Sequence, residues 1–237
     1  MPSHPRKLFF DIETIPAPKQ LEPRLKELYE MKKAKKAARG GSGSGDSGGS
    51  GGGGGGAAYS QSPQSFAGFL RMTSLDGSFG RICCLAYAVD DGEVQAFAGD
   101  EREILEGFWA QATPGTRFIG HNVFDFDLPF VIKRSRILGV RPSVMPSLAR
   151  YRSHPVYDTM HEWTGWGRSS VSLHALSVAL GLPTSKDGID GSQVADHFAA
   201  GKLDEIVEYC KKDVALTRQV YQRMTFDDTI PDPSFGR

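Results

Sequence analysis

Apolar residues Leu8–Phe10 and Ile12 form a short continuous run carrying one acid, Asp11, and Pro16 and Pro18 follow closely. That pattern predicts a buried strand ending in a turn. Leu21, Leu25, Leu28 and Tyr29 then recur at helical spacing, with Lys32, Lys33, Lys35, Lys36 and Arg39 at the end a helix dipole favours for cations. Strand patterns return at Ile82–Val89 and, past the Asp91-Gly92 turn, at Val94–Phe97. Helical periodicity predicts helices over Glu101–Ala112, Asp127–Leu138 and Ser172–Leu180, and a longest one over Leu203–Met224. Short strands fit Thr116–Gly120 and Val156–Thr159. Strands early and helices late, with partial alternation, predict an α/β fold: one mixed sheet flanked by helices.

Composition changes this picture in one place. Twelve of the 28 glycines fall within Gly40–Gly56, among serines, so that stretch reads as flexible coil rather than structure. The expectation is a single domain over 1–237, with 20–57 as an inserted basic helix plus Gly/Ser-rich linker. Lys/Arg and Asp/Glu balance at 28 each, which excludes a uniformly basic coat. Gln20–Gly40 carries seven basic and three acidic residues, so the remainder is mildly acidic, with 21 against 25. Three cysteines, two of them adjacent, argue against a disulfide framework and for a reducing, cytoplasmic setting. The apolar runs are too short to span a bilayer, and Met1–Arg6 lacks the apolar core of a signal peptide.

The candidate chemistry lies in three segments that set acids among apolar neighbours. In Asp11-Ile12-Glu13 the two carboxylates point to the same face of a strand. Like charges at a buried strand end are costly unless a cation compensates. Gly120–Phe130 is a strand end running into a helix and carries Asp125 and Asp127. In the last long helix Tyr209 and Asp213 lie one turn apart, so phenol and carboxylate share a face. These oxygen ligands suit hard divalent cations such as Mg2+ or Mn2+, and a pair of such ions can clamp the attacking and leaving oxygens of a phosphodiester.

Asp11-x-Glu13, Asn122-x-x-x-Phe126-Asp127 and Tyr209-x-x-x-Asp213, in that order, resemble the three exonuclease motifs of the DEDD superfamily, tyrosine subclass. The second motif is similar in form to that of the proofreading domain of B-family DNA polymerases and of a related stand-alone family. Asp190–Val194 resembles that stand-alone family too. The resemblance implies a ribonuclease-H-like fold and a two-metal 3′–5′ exonuclease that releases mononucleotides from a single-stranded DNA end. It implies that Asp11 bridges two Mg2+ or Mn2+ ions, that Glu13 and Asp213 complete the tighter one, and that Asp127 holds the second. Tyr209 would orient the attacking water. Thr14, Ile15, Asn122 and Phe126 would line the substrate cleft. Register against the motif selects Asp127 over Asp125, which is then expected to be a solvated residue ahead of the helix.

Blander readings apply elsewhere. His121, His154, His161 and His174 fit no usual zinc spacing and read as structural or surface residues. Cys83 and Cys84 read as core, Asp158 as packing or as support of the site from a neighbouring strand, and Phe124 and Phe126 as core or base-stacking residues. The Lys32–Arg39 run is a solvated helix end or a phosphate-binding arm. The same motifs leave room for an exoribonuclease, or for a degenerate fold that only binds nucleic acid. A glycosyltransferase reading of Asp125–Asp127 leaves Asp11, Glu13 and Asp213 unexplained.

Overall fold

The computed structural model describes residues 5–40, 63, 65–182 and 189–227. The linker expected beyond Gly40 lies outside them. Five strands, β1 (Lys7–Ile15), β2 (Arg81–Val89), β3 (Gln95–Ala98), β4 (Arg117–Gly120) and β5 (Val156–Asp158), form one sheet in the order β3-β2-β1-β4-β5. The β1/β2 and β2/β3 pairs are antiparallel, whereas β4 runs parallel to both β1 and β5. This mixed order is the ribonuclease-H-like arrangement that the motifs imply.

The central strand is apolar on both faces because helices cover both faces. Leu8, Phe10 and Ile12 enter a core layer with residues of α3 (Glu101–Gln111) and α4 (Asp127–Leu138), among them Phe108, Trp109, Leu128 and Val131. Phe9 and Ile15 enter the opposite layer with Ile206, Cys210, Val214 and Tyr221 of α8 (Leu203–Thr225). By the two-residue strand period, Asp11 and Glu13 point toward the α8 layer. A buried Arg134–Glu101 ion pair at 2.8 Å holds α4 on α3, and Glu101 Oε1 also accepts from the Ile82 N–H of β2 at 2.7 Å. Trp109 Nε1 donates to Ser135 Oγ at 2.9 Å, a second tie between the two helices.

The insertion leaves β1 through a 3₁₀ turn and forms α1 (Glu22–Gly40), followed in the described residues by α2 (Phe66–Met72). Leu25 is 1% exposed, and Tyr29 lies against Phe66 and Phe69. The lysines that follow are exposed. α5 (Thr159–Trp163), α6 (Leu173–Ala179) and α7 (Val194–Ala199) complete the chain. Pattern reading misses α2, α5 and α7, because pieces of five to seven residues show no periodicity. Local caps mark two of them instead: Ser65 Oγ accepts from Gly68 N–H, and Asp158 accepts from Met160 and His161 N–H. Among the described residues no helix is long and apolar enough to cross a membrane.

Candidate active site

Asp11 and Glu13 sit near the end of the central strand, just before a register shift against β2 between Glu13 and Thr14. Glu13 is 8% exposed, and Cys84 faces it across the pair. α4 points its N-terminus at this strand. Asp127 is its first residue, 3% exposed, and its Oδ1 accepts from the Ile12 N–H at 3.1 Å. α8 crosses the other side. Its Cys210 Sγ lies 3.4 Å from the Asp11 carbonyl oxygen and 3.5 Å from Asp11 Oδ2. The same face turns Tyr209 and Asp213, both half-buried, toward the carboxylates, with the phenol hydroxyl in hydrogen-bonding reach of Asp213.

Three elements thus bring four carboxylates together with no opposing cation. Among the described residues no Lys or Arg ion pair involves any of the four. Desolvation, then repulsion from Asp127, Glu13 and Asp213, holds the Asp11 carboxyl well above the usual range. Glu13 is raised by burial and by Asp213. Burial pushes Asp127 to about 8 against the opposing bond from Ile12 N–H, and burial also raises Asp213. Burial and the neighbouring Asp213, Glu13 and Asp11 charges push the Tyr209 phenol up, so it stays protonated.

A bound divalent cation would reverse these shifts, since it replaces mutual repulsion with coordination. Ligand atoms of Asp11, Glu13 and Cys210 lie within 4.8 Å of one another, with Cys210 buried behind the acids. Carboxylates suit Mg2+ or Mn2+, and the thiol is the softer neighbour. The residues present therefore fit a hard divalent ion.

One expected residue, Asp125, stands differently. Asp125 is not solvated: its Oδ2 meets His161 Nε2 at 2.8 Å and its Oδ1 meets Arg150 Nη2 at 2.9 Å. It precedes α4 by two residues, and both of its partners lie far along the chain. Thr14 and Ile15 do not join the carboxylates. Thr14 Oγ1 donates to the Ser74 carbonyl at 2.7 Å, and Ile15, 3% exposed, lies in the α8-side core. Asn122 and Phe126 are half-buried on the loop that leads into α4, Asn122 with φ of 60°.

Asp158 is the residue whose reach the sequence understates. It is fully buried at the end of β5 and accepts four backbone N–H groups, from Asn122, Phe124, Met160 and His161, at 2.9–3.3 Å. It caps α5 and fixes the loop that delivers Asp127. An acid at the end of an apolar strand, directly before a helix, was the available signal. His121 and His161 are structural as expected, the former between Thr159 Oγ1 and the Val171 carbonyl, each at 2.9 Å.

A family described as predicted 3′–5′ exonucleases related to the exonuclease domain of PolB matches this sequence over residues 77–230. The chain belongs to that family. The matched span holds Asn122, Phe126, Asp127, Tyr209 and Asp213, whereas Asp11 and Glu13 precede it. The fold returns those two acids to Asp127 and Asp213 of the matched span. The structure of the family B DNA polymerase from the hyperthermophilic archaeon Pyrobaculum calidifontis is similar to this chain, with a TM-score of 0.58 at 18% identity, covering 93% of this chain and 24% of that one. The likeness is therefore one of fold, and this chain spans about a quarter of that polymerase. No curated protein matches the sequence.

Proposed function

We propose that this member of the exonuclease family is a divalent-cation-dependent enzyme that removes 5′-mononucleotides from the 3′ end of single-stranded DNA. The observation that carries this reading is the convergence of Asp11, Glu13, Asp127 and Asp213, from β1, α4 and α8, on one uncompensated site. The reading assigns the catalytic domain to 1–237 with 20–57 inserted, and the three free, buried cysteines agree with a reducing cytoplasm.

Asp11, Glu13 and Asp213 would hold one of two Mg2+ or Mn2+ ions and Asp127, with Asp11 shared, the other. When bound, such ions neutralise phosphate charge and acidify water. The chain's own part is positional. The bond from Ile12 N–H fixes the Asp127 carboxylate, so β1 and α4 keep their spacing. Tyr209, protonated and steadied by Asp213, would hold a water in line with the terminal phosphorus without taking its proton. As the water oxygen bonds to phosphorus, the bond to the preceding nucleotide's O3′ breaks. The attacking water gives up one proton to solvent, the O3′ oxygen takes one from solvent to become the new 3′-hydroxyl, and the phosphate leaves on the 5′ carbon of the released nucleotide. Asn122 and Phe126 line the approach.

The deciding experiment incubates the protein with end-labelled single-stranded DNA and RNA, with Mg2+, Mn2+ or excess chelator. Stepwise shortening from the 3′ end with either metal, abolished by chelator, is expected. Metal should also raise the melting temperature, by an amount equivalent to about 2.7 kcal/mol at a hundredfold excess over Kd, because it binds the folded cluster alone. Full hydrolysis after metal removal would overturn the mechanism, and faster shortening of RNA would transfer the substrate to RNA.

A further inference from the structure

Beside the loop that carries Asn122, Phe126 and Asp127 stands an aromatic column that the hydrolytic chemistry does not use. The His161 ring is stacked on Trp166 at 4.7 Å with 7° between planes, and the Tyr151 ring lies against Trp166 at 5.6 Å. Phe124 meets both His161 and Trp166 edge-on at 6.1 and 5.3 Å. The column is bolted to the loop, since His161 and Arg150 both hold Asp125 and the Arg150 guanidinium lies 5.4 Å from the Phe124 ring centre.

Its outer member is unlike the rest. Tyr151 is 75% exposed, yet its backbone sits at φ of 62°, a left-handed conformation that costs a bulky residue free energy. Trp166 is left-handed too, at φ of 59°. Strain at an exposed aromatic is not offset by burial in the free protein. Arg150 and Arg152 flank Tyr151, and Arg168 follows Trp166 by two residues; all three are exposed. Aromatic faces interleaved with arginines match a single nucleic-acid strand, in which each base offers a π-face and each linkage a negative charge.

We propose that Tyr151, backed by Trp166 and flanked by Arg150 and Arg152, is a stacking platform for a base of the substrate strand upstream of the scissile bond. This rests on the exonuclease reading for its substrate, and it assigns the site a second subsite that grips the strand outside the carboxylate cluster. Such a platform acts on binding and leaves the chemical step alone. Removing the ring should weaken binding by the value of one base–aromatic stack, about 5- to 150-fold.

The test measures binding of a fluorescent single-stranded oligonucleotide to the full chain with Ca2+ present, beside steady-state hydrolysis with Mg2+. Tyr151→Ala is expected to raise Kd and KM within that range, keep kcat, and leave cleavage of a chromogenic mononucleotide phosphodiester unchanged. Tyr151→Phe should retain wild-type affinity. Arg152→Gln should flatten the salt dependence of Kd. Unchanged affinity in Tyr151→Ala, or no binding of the oligonucleotide by the unaltered chain, overturns the platform. An equal loss on the mononucleotide substrate also overturns it, because the effect would then lie in the carboxylate site. Binding that follows the expected series in a chain that hydrolyses nothing overturns the exonuclease reading and upholds the platform.

Discussion

Asp125 and Asp127 are two residues apart and have opposite environments, which makes them a sharp test at the scale of single side chains. Asp127→Ala removes a buried carboxylate fixed by Ile12 N–H and should abolish hydrolysis. Asp125→Ala should retain turnover per folded molecule but lose about 1–3 kcal/mol of stability, because His161 and Arg150 lose their acceptor. Urea melts beside single-turnover rates would separate the two, and a reversed outcome would shift the motif register. Protonation gives a second test. The Asp127 carboxyl is raised to about 8, so the folded metal-free chain binds protons that the unfolded chain has released, and its stability falls as pH rises from the usual carboxylate range toward 8. Asp127→Asn keeps an acceptor for Ile12 N–H and loses the charge. In chelator at pH 8 it should be more stable than the unaltered protein, and denaturant midpoints at pH 6 and 8 check this. Tyr209→Phe should bind metal and strand normally yet turn over roughly a hundredfold more slowly, a loss read in single-turnover rates with saturating metal. The acids of the three motifs are legible in sequence because spacing puts them on known faces of a strand and two helices. The partners of Asp125 are not, because they lie 25 and 36 residues further along.

Between single residues and the whole chain, the element that decides the site is the segment from Gly120, the last residue of β4, to Phe126. It carries one turn bond of its own, from Phe126 N–H to the Asn122 carbonyl at 3.1 Å, and is otherwise held from outside. Asp158 accepts its Asn122 and Phe124 N–H groups, both at 2.9 Å, and Gly120 admits it to the sheet: a Cβ there would stand 2.7 Å from the Val123 Cβ and 3.1 Å from the Phe10 carbonyl oxygen. Gly120→Ala must therefore displace the loop or the central strand. It should lower kcat with smaller effect on thermal stability, since Asp127 is carried on the displaced segment. Asp158→Ala orphans buried N–H groups of loop and helix together and should cost several kcal/mol, at about 1–3 kcal/mol for each group left unsatisfied. Calorimetry against kcat distinguishes the two variants. Comparable losses in both quantities for Gly120→Ala would mean that the glycine serves folding alone. Long elements are readable from periodicity, and the short caps and loops are not. Their geometry is set by one acid at a strand end and one missing side chain, neither of which leaves a repeating pattern.

At the scale of the molecule, the question is what the charged insertion does beside an otherwise acidic body. α1 is anchored by Leu25 and by Tyr29 against α2, and Lys32 lies 5.4 Å over the Phe69 ring. α2 runs into the 3₁₀ turn whose Ser74 carbonyl receives the Thr14 hydroxyl and whose Thr73 hydroxyl accepts from the Ala17 N–H, so the helix is tied to the chain just past Glu13. Lys33, Lys35 and Lys36 take no part in that anchoring and are exposed. Their replacement by Gln should therefore leave melting temperature and kcat as they are. A strand drawn toward a site of four carboxylates meets repulsion wherever metal is scarce, and these lysines belong to the densest run of positive charge in the sequence. If they meet phosphates, each lysine–phosphate pairing removed reduces the slope of log affinity against log salt by about 0.7 for a single strand. The triple variant is expected to lose a slope of roughly two, most of its affinity change appearing below physiological ionic strength. Oligonucleotide binding across a salt series measures this directly. A slope identical to that of the unaltered protein would make the lysines a solvated helix end, and would leave Tyr151 and its arginines to hold the strand.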